Sequence, residues 1–198
     1  MKKQPEVTAQ TRQALIDAFW KLYCEKGIDK ITVREITSVA GYNRGTFYEY
    51  FYDVYDVLQQ IEDGLMAKMR LERQDGKPLS FDELVDVFEG NAKYLTVLFG
   101  ERGDPKFIHR TREEMKKTFY RLAEKNGVSV TFRLQLAIQY HINAMTGCMV
   151  YWWRMENRPC AAEYVKELSS VDDGARAKLE EMLGFRRARA EEARPSER

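Results

Sequence analysis

Apolar side chains recur along nearly the whole chain at the spacing of an α-helix, and this repeat restricts the fold more than any other feature. Near the start, Leu15, Ala18 and Phe19 follow the three- and four-residue spacing that places side chains on one face of a helix. We find neither an internal repeat nor a stretch of alternating apolar and polar residues, the pattern of a half-buried strand. The sequence therefore predicts an all-α protein.

Capping and helix-breaking residues divide the chain into individual helices. The segments TVRE at 32–35 and SFDE at 80–83 both have the pattern of a capping box, in which two side chains satisfy the free N–H groups of a helix start. We expect Gly27 to end the first helix in the left-handed conformation and Gly41 to end the second helix. Asn43 would cap the third, which would carry the aromatic residues up to position 51. The spacing predicts further helices over about 53–72, 81–99, 105–125, 129–156, 160–170 and 175–184.

A polar, helix-breaking stretch at 74–78, QDGKP, separates two groups of predicted helices. We expect residues 1–58 to form one domain, with a fourth, connecting helix that continues to about 72. Residues 73–185 would form a second helical domain. Residues 186–198, RRARAEEARPSER, are charged and contain no large apolar group, so we predict a flexible tail there.

Composition excludes some classes of protein. The 32 Lys and Arg residues balance 31 Asp and Glu, so the net charge of +1 gives no general attraction for nucleic acid, and any basic surface must be local. The N-terminus, MKKQPEV, lacks the apolar core of a signal peptide, and no run of ~18 apolar residues could span a membrane. Cys24, Cys148 and Cys160 form no CxxC pair, which favours buried, reduced thiols in a cytoplasmic protein. A redox sensor built from Cys148 and Cys160 is the alternative.

The stretch at 32–51, TVREITSVAGYNRGTFYEYF, predicts two short helices joined by a tight Ala-Gly turn, the geometry of a helix-turn-helix. Phe47 and Phe51 would dock the second helix on its own domain. Arg44 offers the forked donor that suits guanine or phosphate, and Gly45 lets the backbone approach a duplex. Hydroxyl groups and the N-terminal end of the first helix can bind phosphates. The predicted DNA-binding residues are Thr32, Arg34, Tyr42, Asn43, Arg44, Gly45, Thr46, Tyr48, Tyr50 and Tyr52.

Ordinary packing is the alternative explanation for this stretch. Amphipathic helices with outward Tyr and Thr also occur in three-helix domains that never bind DNA, and a net charge near zero favours this alternative. The residue pattern by itself leaves both interpretations open.

Residues 8–58 resemble the N-terminal DNA-binding domain of the TetR family of transcriptional regulators. The resemblance implies a homodimer with one helix-turn-helix per subunit, double-stranded operator DNA as a partner, and a C-terminal helical domain for effector binding and dimerisation. We interpret the chain as a repressor that a small-molecule effector releases from its operator; an activator, or a protein-interaction module without ligand control, is the alternative. The segments that carry the resemblance are TVREI at 32–36, AG at 40–41, RGTFY at 44–48, YF at 50–51, and Leu58.

One position departs from the family pattern. Where the family has a Lys that opens the fourth helix and touches phosphate, this sequence has Val54. Binding to the DNA backbone would then be weaker, or other residues would provide the phosphate contacts: Tyr52, Lys30, and Lys2 and Lys3 of the N-terminal arm.

The segment at 129–156 is apolar on nearly every face, which predicts a helix buried on all sides, against its own core and against a second subunit. The family resemblance places this helix and the one after Pro159 in a four-helix bundle between subunits. A weaker resemblance, to the regulator type of the dihydroxyacetone kinase operon, rests on YWW at 151–153 and NRP at 157–159.

Polar side chains interrupt the apolar surface of this helix, and a ligand pocket needs such a mixture. We expect a cavity between this helix and those over 81–125. Its effector would be uncharged or weakly charged and partly apolar, because no Lys or Arg lies between Arg133 and Arg154. Alternatively, Gln139 and Asn143 are polar because they form hydrogen bonds across the subunit interface rather than with a ligand. The predicted ligand-binding residues are Tyr94, Phe99, His109, Met115, Phe119, Gln135, Gln139, His141, Asn143 and Thr146.

Signatures of catalysis and metal binding are missing from the sequence. It has no Gly-rich phosphate loop, no HExxH, no GxSxG and no Cys/His/carboxylate set at ligand spacing. His109 and His141 could sense pH or bind a metal as a pair, but the sequence indicates no third ligand. We therefore predict a regulator that is not an enzyme and that needs neither cofactor nor metal.

Overall fold

The computed structural model describes residues 5–69, 81–100 and 103–184, and all the regular structure in these ranges is helical, as predicted. The elements are α1 (Pro5–Glu25), a 3₁₀ turn (Ile28–Lys30), α2 (Val33–Ala40), α3 (Arg44–Tyr48), α4 (Val54–Lys68), α5 (Phe81–Gly90), α6 (Ala92–Phe99), α7 (Pro105–Lys125), α8 (Phe132–Arg154) and α9 (Ala161–Met182).

Two compact units make up the chain, Met1–Ala67 and Lys68–Arg198. Each unit has its own apolar core. The predicted boundary at 74–78, the capping box that begins at Ser80 and the predicted tail at 186–198 fall outside the described residues, so they remain predictions.

The core of the first unit forms where the apolar faces of its short helices meet. Helices of five and eight residues, such as α3 and α2, are too short to be stable alone in water, so tertiary burial must hold them in place. The buried side chains that do so are Leu15 and Phe19 from α1, Ile36 from α2, Phe47 from α3, Phe51 beyond it, and Val57, Ile61 and Leu65 from α4.

In the second unit, α7, α8 and α9 share one apolar cluster. Phe119 from α7, Ile138 and Ile142 from α8, and Leu179 from α9 are its main buried members. The predicted bounds of the α7 helix, 105–125, are those observed, and Asp104 caps it through a hydrogen bond from the Lys106 N–H to its side chain.

The corner between α8 and α9 is built from the YWW and NRP segments noted in the sequence. Trp152 stacks on Tyr164 of α9, with ring centroids 4.4 Å apart and planes 9° apart. The indole N–H of Trp152 donates to the Pro159 carbonyl at 3.0 Å. Arg158 places its guanidinium over the Trp153 ring, 4.5 Å from the centroid. These contacts give the two segments a structural role.

The predicted helix ends were right at two positions and wrong at a third. Asn43 caps α3, and Gly41 ends α2 in the left-handed conformation with φ of +75°. Gly27 was predicted to end α1 in the same way, but its φ of −62° and ψ of 151° are extended backbone. The reason is that α1 already ends at Glu25, and Gly27 instead leads into the 3₁₀ turn.

The helix predicted over 81–99 is broken at Asn91, which separates α5 from α6. The Asn91 side chain is buried and donates to the Val87 carbonyl at 2.7 Å, while its oxygen accepts from the Lys68 ammonium at 3.0 Å. An Asn side chain that bonds to nearby backbone competes with the helical pattern, which accounts for the break.

The two helices predicted over 160–170 and 175–184 are a single helix, α9. Asp172, Asp173 and Gly174 were expected to interrupt it. Buried Tyr164 and Val165 before this triplet and buried Leu179 after it anchor α9 on both sides of the triplet. Burial of that size outweighs the cost of about 1 kcal/mol for one Gly inside a helix.

Gly174→Ala is expected to stabilise the second unit by ~0.5–1 kcal/mol, because Ala loses less backbone freedom on folding than Gly. A methyl group fits, since Gly174 is helical and a Cβ added there would have no neighbour within 4 Å. Urea unfolding of the two proteins measures the difference. Gly41→Ala is the contrasting variant and should destabilise, because its φ is +75°. A loss of stability in Gly174→Ala would contradict a continuous α9.

Candidate nucleic-acid interface and ligand cavity

Helix α2 begins with the predicted capping box. The Glu35 N–H donates to the Thr32 hydroxyl at 3.3 Å, and the Thr32 N–H donates to Glu35 Oε2 at 3.0 Å. The Lys26 ammonium donates to Glu35 Oε1 at 2.7 Å, and this bond is the main cause that lowers the pKa of the Glu35 carboxyl. A carboxylate therefore already occupies this helix end, and a phosphate at Thr32 would have to approach a negative charge.

Helix α3 is fixed by a cap at its start and an aromatic anchor on its inner face. Asn43 Oδ1 accepts from the Thr46 N–H at 2.9 Å. A Cβ on Gly45 would lie 3.1 Å from that same oxygen, so the cap itself leaves little room for a side chain there. Phe47 is fully buried, and its ring lies 5.5 Å from that of Phe51, over which Arg12 places its guanidinium.

The outer side of the turn and α3 carries most of the predicted DNA-binding side chains. Tyr48 is 59% exposed, and Tyr52 is 84% exposed. Thr46 and Tyr50 are half-buried, and α3 ends at Tyr48, so Tyr50 and Tyr52 belong to the turn that follows rather than to the helix. The remaining members of the predicted set, all of them exposed, are Thr32, Arg34, Tyr42, Asn43, Arg44 and Gly45.

Val54, the departure from the family pattern, is half-buried and opens α4. Among its neighbours, Tyr55 donates its hydroxyl to Asp29 at 2.7 Å, and this bond raises the pKa of the phenol. Tyr52 is held through its backbone instead, since its N–H donates to Asp56 at 2.7 Å while its side chain extends into solvent. Of the two exposed tyrosines beside Val54, Tyr52 is the better placed to replace the family's cation.

A cavity of about 230 Å³ lies inside the second unit, between α5, α7, α8 and α9. The sequence placed a cavity against α5–α7 and α8 but missed the contribution of α9. The lining is Met69, Leu84, Val87, Phe88, Thr111, Met115, Thr118, Phe119, Leu122, His141, Met145, Thr146, Met149, Tyr164, Val165, Leu168, Ser169, Asp172, Arg176, Leu179, Glu180 and Leu183.

The structure brings four of the ten predicted ligand-binding residues to this cavity: Met115, Phe119, His141 and Thr146. The other six do not line it. Phe99 is buried against Phe107, and Tyr94 has the Lys93 ammonium over its ring. The remaining four, all of them exposed, are His109, Gln135, Gln139 and Asn143. The physical reason is that α8 turns Gln135, Gln139 and Asn143 away from its own core.

The polar groups of the cavity come mainly from α9. His141 Nδ1 lies 3.3 Å from Asp172 Oδ2, and Arg176 donates to Glu180 at 3.0 Å. Burial lowers the pKa of His141, and the nearby Asp172 carboxylate only partly offsets this effect, so the imidazole is neutral at pH 7. Asp172, Arg176 and Glu180 lie on one face of α9 because they are four residues apart. This shared face was not predicted from the sequence, because the helix was expected to be interrupted at 172–174.

One face of α8 is exposed in the single chain, so the predicted burial of this helix against a second subunit stays a prediction. We call this face the α8 stripe; its side chains are spaced at helical intervals. The exposed fractions are 78% for Phe132, 59% for Leu136, 65% for Tyr140 and 69% for Tyr151.

The three cysteines differ from expectation, because Cys24, Cys148 and Cys160 are all exposed rather than buried. Within the described residues, no three His, Cys, Asp or Glu side chains lie together as a metal ion would require. Over the same residues, every helix is too short or too polar to cross a membrane.

The first unit is thus a helix-turn-helix domain, and the second is a helical domain with an internal cavity. Residues 15–61 match the family described as bacterial regulatory proteins, tetR family. The helix-turn-helix part of the chain is therefore similar to the DNA-binding domain of TetR-family transcriptional regulators.

Curated relatives match part of the chain. The HTH-type transcriptional repressor BepR of Brucella suis biovar 1 (strain 1330) is 34% identical over 61 residues, which cover 31% of this chain and 29% of BepR. The HTH-type transcriptional regulator AcrR of Shigella flexneri is 29% identical over 96 residues, 44% of this chain and 45% of AcrR. The chain spans less than half the length of either relative.

Solved structures extend the similarity of fold to most of the chain. A TetR transcriptional regulator from Streptococcus agalactiae 2603V has a TM-score of 0.61 at 22% identity, covering 84% of this chain and 95% of that one. The dihydroxyacetone kinase operon activator DhaS has a TM-score of 0.58 at 16% identity, covering 86% and 96%. At these identities the similarity shows the fold.

Proposed function

We propose that this protein is a DNA-binding transcriptional repressor that leaves its operator when a small molecule occupies the cavity of the second unit. The observation that carries the proposal is the α2–turn–α3 geometry. A buried Phe47 anchors α3, while Arg44 and Tyr48 face outward beside an exposed backbone at Gly45. This arrangement suits insertion into a major groove. A repressor of this kind acts in the cytoplasm, where the chromosome is, and it is not an enzyme.

The α8 stripe supports a homodimer as the DNA-binding form. Four large apolar side chains exposed along one helix are the kind of surface that a second subunit covers. Two-fold symmetry then predicts a pseudo-palindromic operator, with half-sites one helical turn, about 34 Å, or a multiple of it apart. A footprint that covers a single half-site at saturating protein would contradict the dimer.

Arg44→Ala and Tyr48→Ala are expected to weaken operator binding in different ways. If Arg44 contacts a base, its loss costs about 1–3 kcal/mol and relaxes the preference at one position of the operator. Tyr48, which we place at a phosphate, should weaken binding to all sequences alike. Operators selected from the source genome, measured by fluorescence anisotropy against single-base variants, separate the two effects.

Lys166→Ala is the matched control, because it removes one exposed positive charge from the second unit. All three variants must keep the melting temperature of the parent protein. Unaltered operator affinity in both the Arg44 and Tyr48 variants would remove α3 as the recognition helix and favour a protein-interaction module.

Release by an effector requires that the ligand bind the DNA-free form more tightly. By linkage, operator DNA must then lower the affinity for the ligand by the same factor. Titration of the ligand with and without operator measures that factor. Equal affinities in the two titrations would show that the ligand does not control DNA binding.

A further inference from the structure

The cavity contains a buried acidic corner whose polar atoms are incompletely satisfied. His141 is 8% exposed, and its Nδ1 atom is buried without a hydrogen-bond partner. Asp172 Oδ2 lies 3.3 Å away, within ion-pair distance but without the alignment of a hydrogen bond, and the Asp172 side chain is only 12% exposed. The unpartnered imidazole nitrogen and the nearby carboxylate thus form a polar corner at which a ligand group can complete the hydrogen bonding.

The charges around the cavity leave one negative charge unbalanced. Arg176 and Glu180 form a pair at 3.0 Å, with side chains 54% and 40% exposed, so they neutralise each other toward solvent. The groups that act on His141 are Asp172, Arg176 and Glu180 from α9, together with the Phe119 ring of α7, which meets the imidazole edge-on at 5.7 Å. Two acidic side chains, Asp172 and Glu180, therefore line the cavity against one basic side chain, Arg176.

Most of the remaining wall is apolar or aromatic. Phe88, Phe119 and Tyr164 contribute rings, and Met145 and Met149 contribute flexible side chains that adapt to a ligand. The volume of about 230 Å³ exceeds the ~150 Å³ known to admit benzene, so one aromatic ring with a short chain fits.

We propose that the ligand of this cavity is an amphiphilic amine, in which a protonated ammonium group donates to Asp172 and to His141 Nδ1 while an apolar body of about one ring fills the rest. This inference rests on the proposed function, because it takes the cavity as the effector site. It revises the expectation of an uncharged effector, which considered the charges of α8 but not those of α9.

An isosteric series tests the charge preference on the unaltered full-length protein. The probes are 2-phenylethylamine, 2-phenylethanol and phenylacetate, measured at pH 7 by isothermal titration calorimetry. The amine should bind about 10- to 100-fold more tightly than the alcohol, the range that one hydrogen bond to a charged group provides. Phenylacetate should bind more weakly than the alcohol, because its carboxylate would meet Asp172. Equal affinity for the amine and the alcohol, tighter binding of phenylacetate, or no binding of the amine at millimolar concentration would overturn the proposal.

Asp172→Asn tests the residue. The variant should lose the 10- to 100-fold preference for the amine and keep its affinity for the alcohol, since only the charge changes. Asp173→Asn is the matched control: it makes the same change at the neighbouring exposed position and should retain the preference. An Asp172→Asn variant that melts with the parent protein yet still prefers the amine would overturn the assignment. If Asp172→Asn does not fold, the three probes measured on the unaltered protein still test the charge preference of the cavity.

Operator binding, measured separately, distinguishes the two proposals. A protein that binds its operator but not the amine remains a repressor with another ligand class. A protein that binds the three probes with the expected order of affinities but does not bind DNA would support the amine ligand and contradict the proposed repressor function.

Discussion

Phe47→Ala is expected to lower the free energy of unfolding of the first unit by about 3–5 kcal/mol, the usual loss for truncating a buried Phe. Phe47 is fully buried and packs against the rings of Tyr48 and Phe51, each with its centroid 5.5 Å away. Helix α3 has five residues and depends on this anchor. Operator binding should therefore disappear although no outward side chain has changed.

Hydrogen exchange of the α1–α3 amides, compared with those of α7–α9, measures this loss unit by unit. Tyr48→Ala is the matched control: it truncates the adjacent aromatic residue, which is 59% exposed, and should leave exchange unchanged while weakening DNA binding. Parent-like protection of α3 in Phe47→Ala would show that the helix is held by something other than this ring.

Leu136→Glu is expected to convert the dimer to a monomer and to reduce operator affinity by about 10²–10⁴-fold, because one half-site can no longer assist the other. Leu136 lies in the middle of the α8 stripe and is 59% exposed, so a carboxylate there costs little in the isolated chain. In a dimer the same carboxylate would be buried without a partner. Analytical ultracentrifugation reports the mass, and fluorescence anisotropy reports operator affinity.

Asn157→Glu provides the control, since it adds the same charge at an exposed position of the second unit outside the stripe. A Leu136→Glu protein that sediments as a dimer would place the subunit interface on another surface. A parent protein that is monomeric at every concentration would remove the homodimer itself.

Local signals in the sequence predicted the first unit well. The capping box at Thr32, the glycine at position 41 and the cap at Asn43 act through residues within a few positions of each other, so the sequence alone contains the information. Gly27 failed because a glycine near a helix end does not reveal whether the helix has already stopped.

Long-range packing decided the features that were missed. The Asp172–Gly174 triplet has the composition of a turn, but burial on both sides keeps α9 helical. Asn91 lies within an apolar periodic segment, and its bonds to Val87 and Lys68 depend on the fold of the second unit. The acidic corner of the cavity was missed for the same reason, because it needs α8 and α9 side by side.

Helix α8 serves two surfaces at once, and this restricts how its sequence can change. His141 and Thr146 line the cavity, whereas Leu136 and Tyr140 lie on the α8 stripe. Neighbouring residues of α8 are therefore restricted by different contacts, some by the ligand and others by the second subunit. Few substitutions along such a helix leave both surfaces unchanged. We expect substitutions in α8 among related regulators to occur in compensating pairs, with a change of effector accompanied by adjustment at the subunit seam.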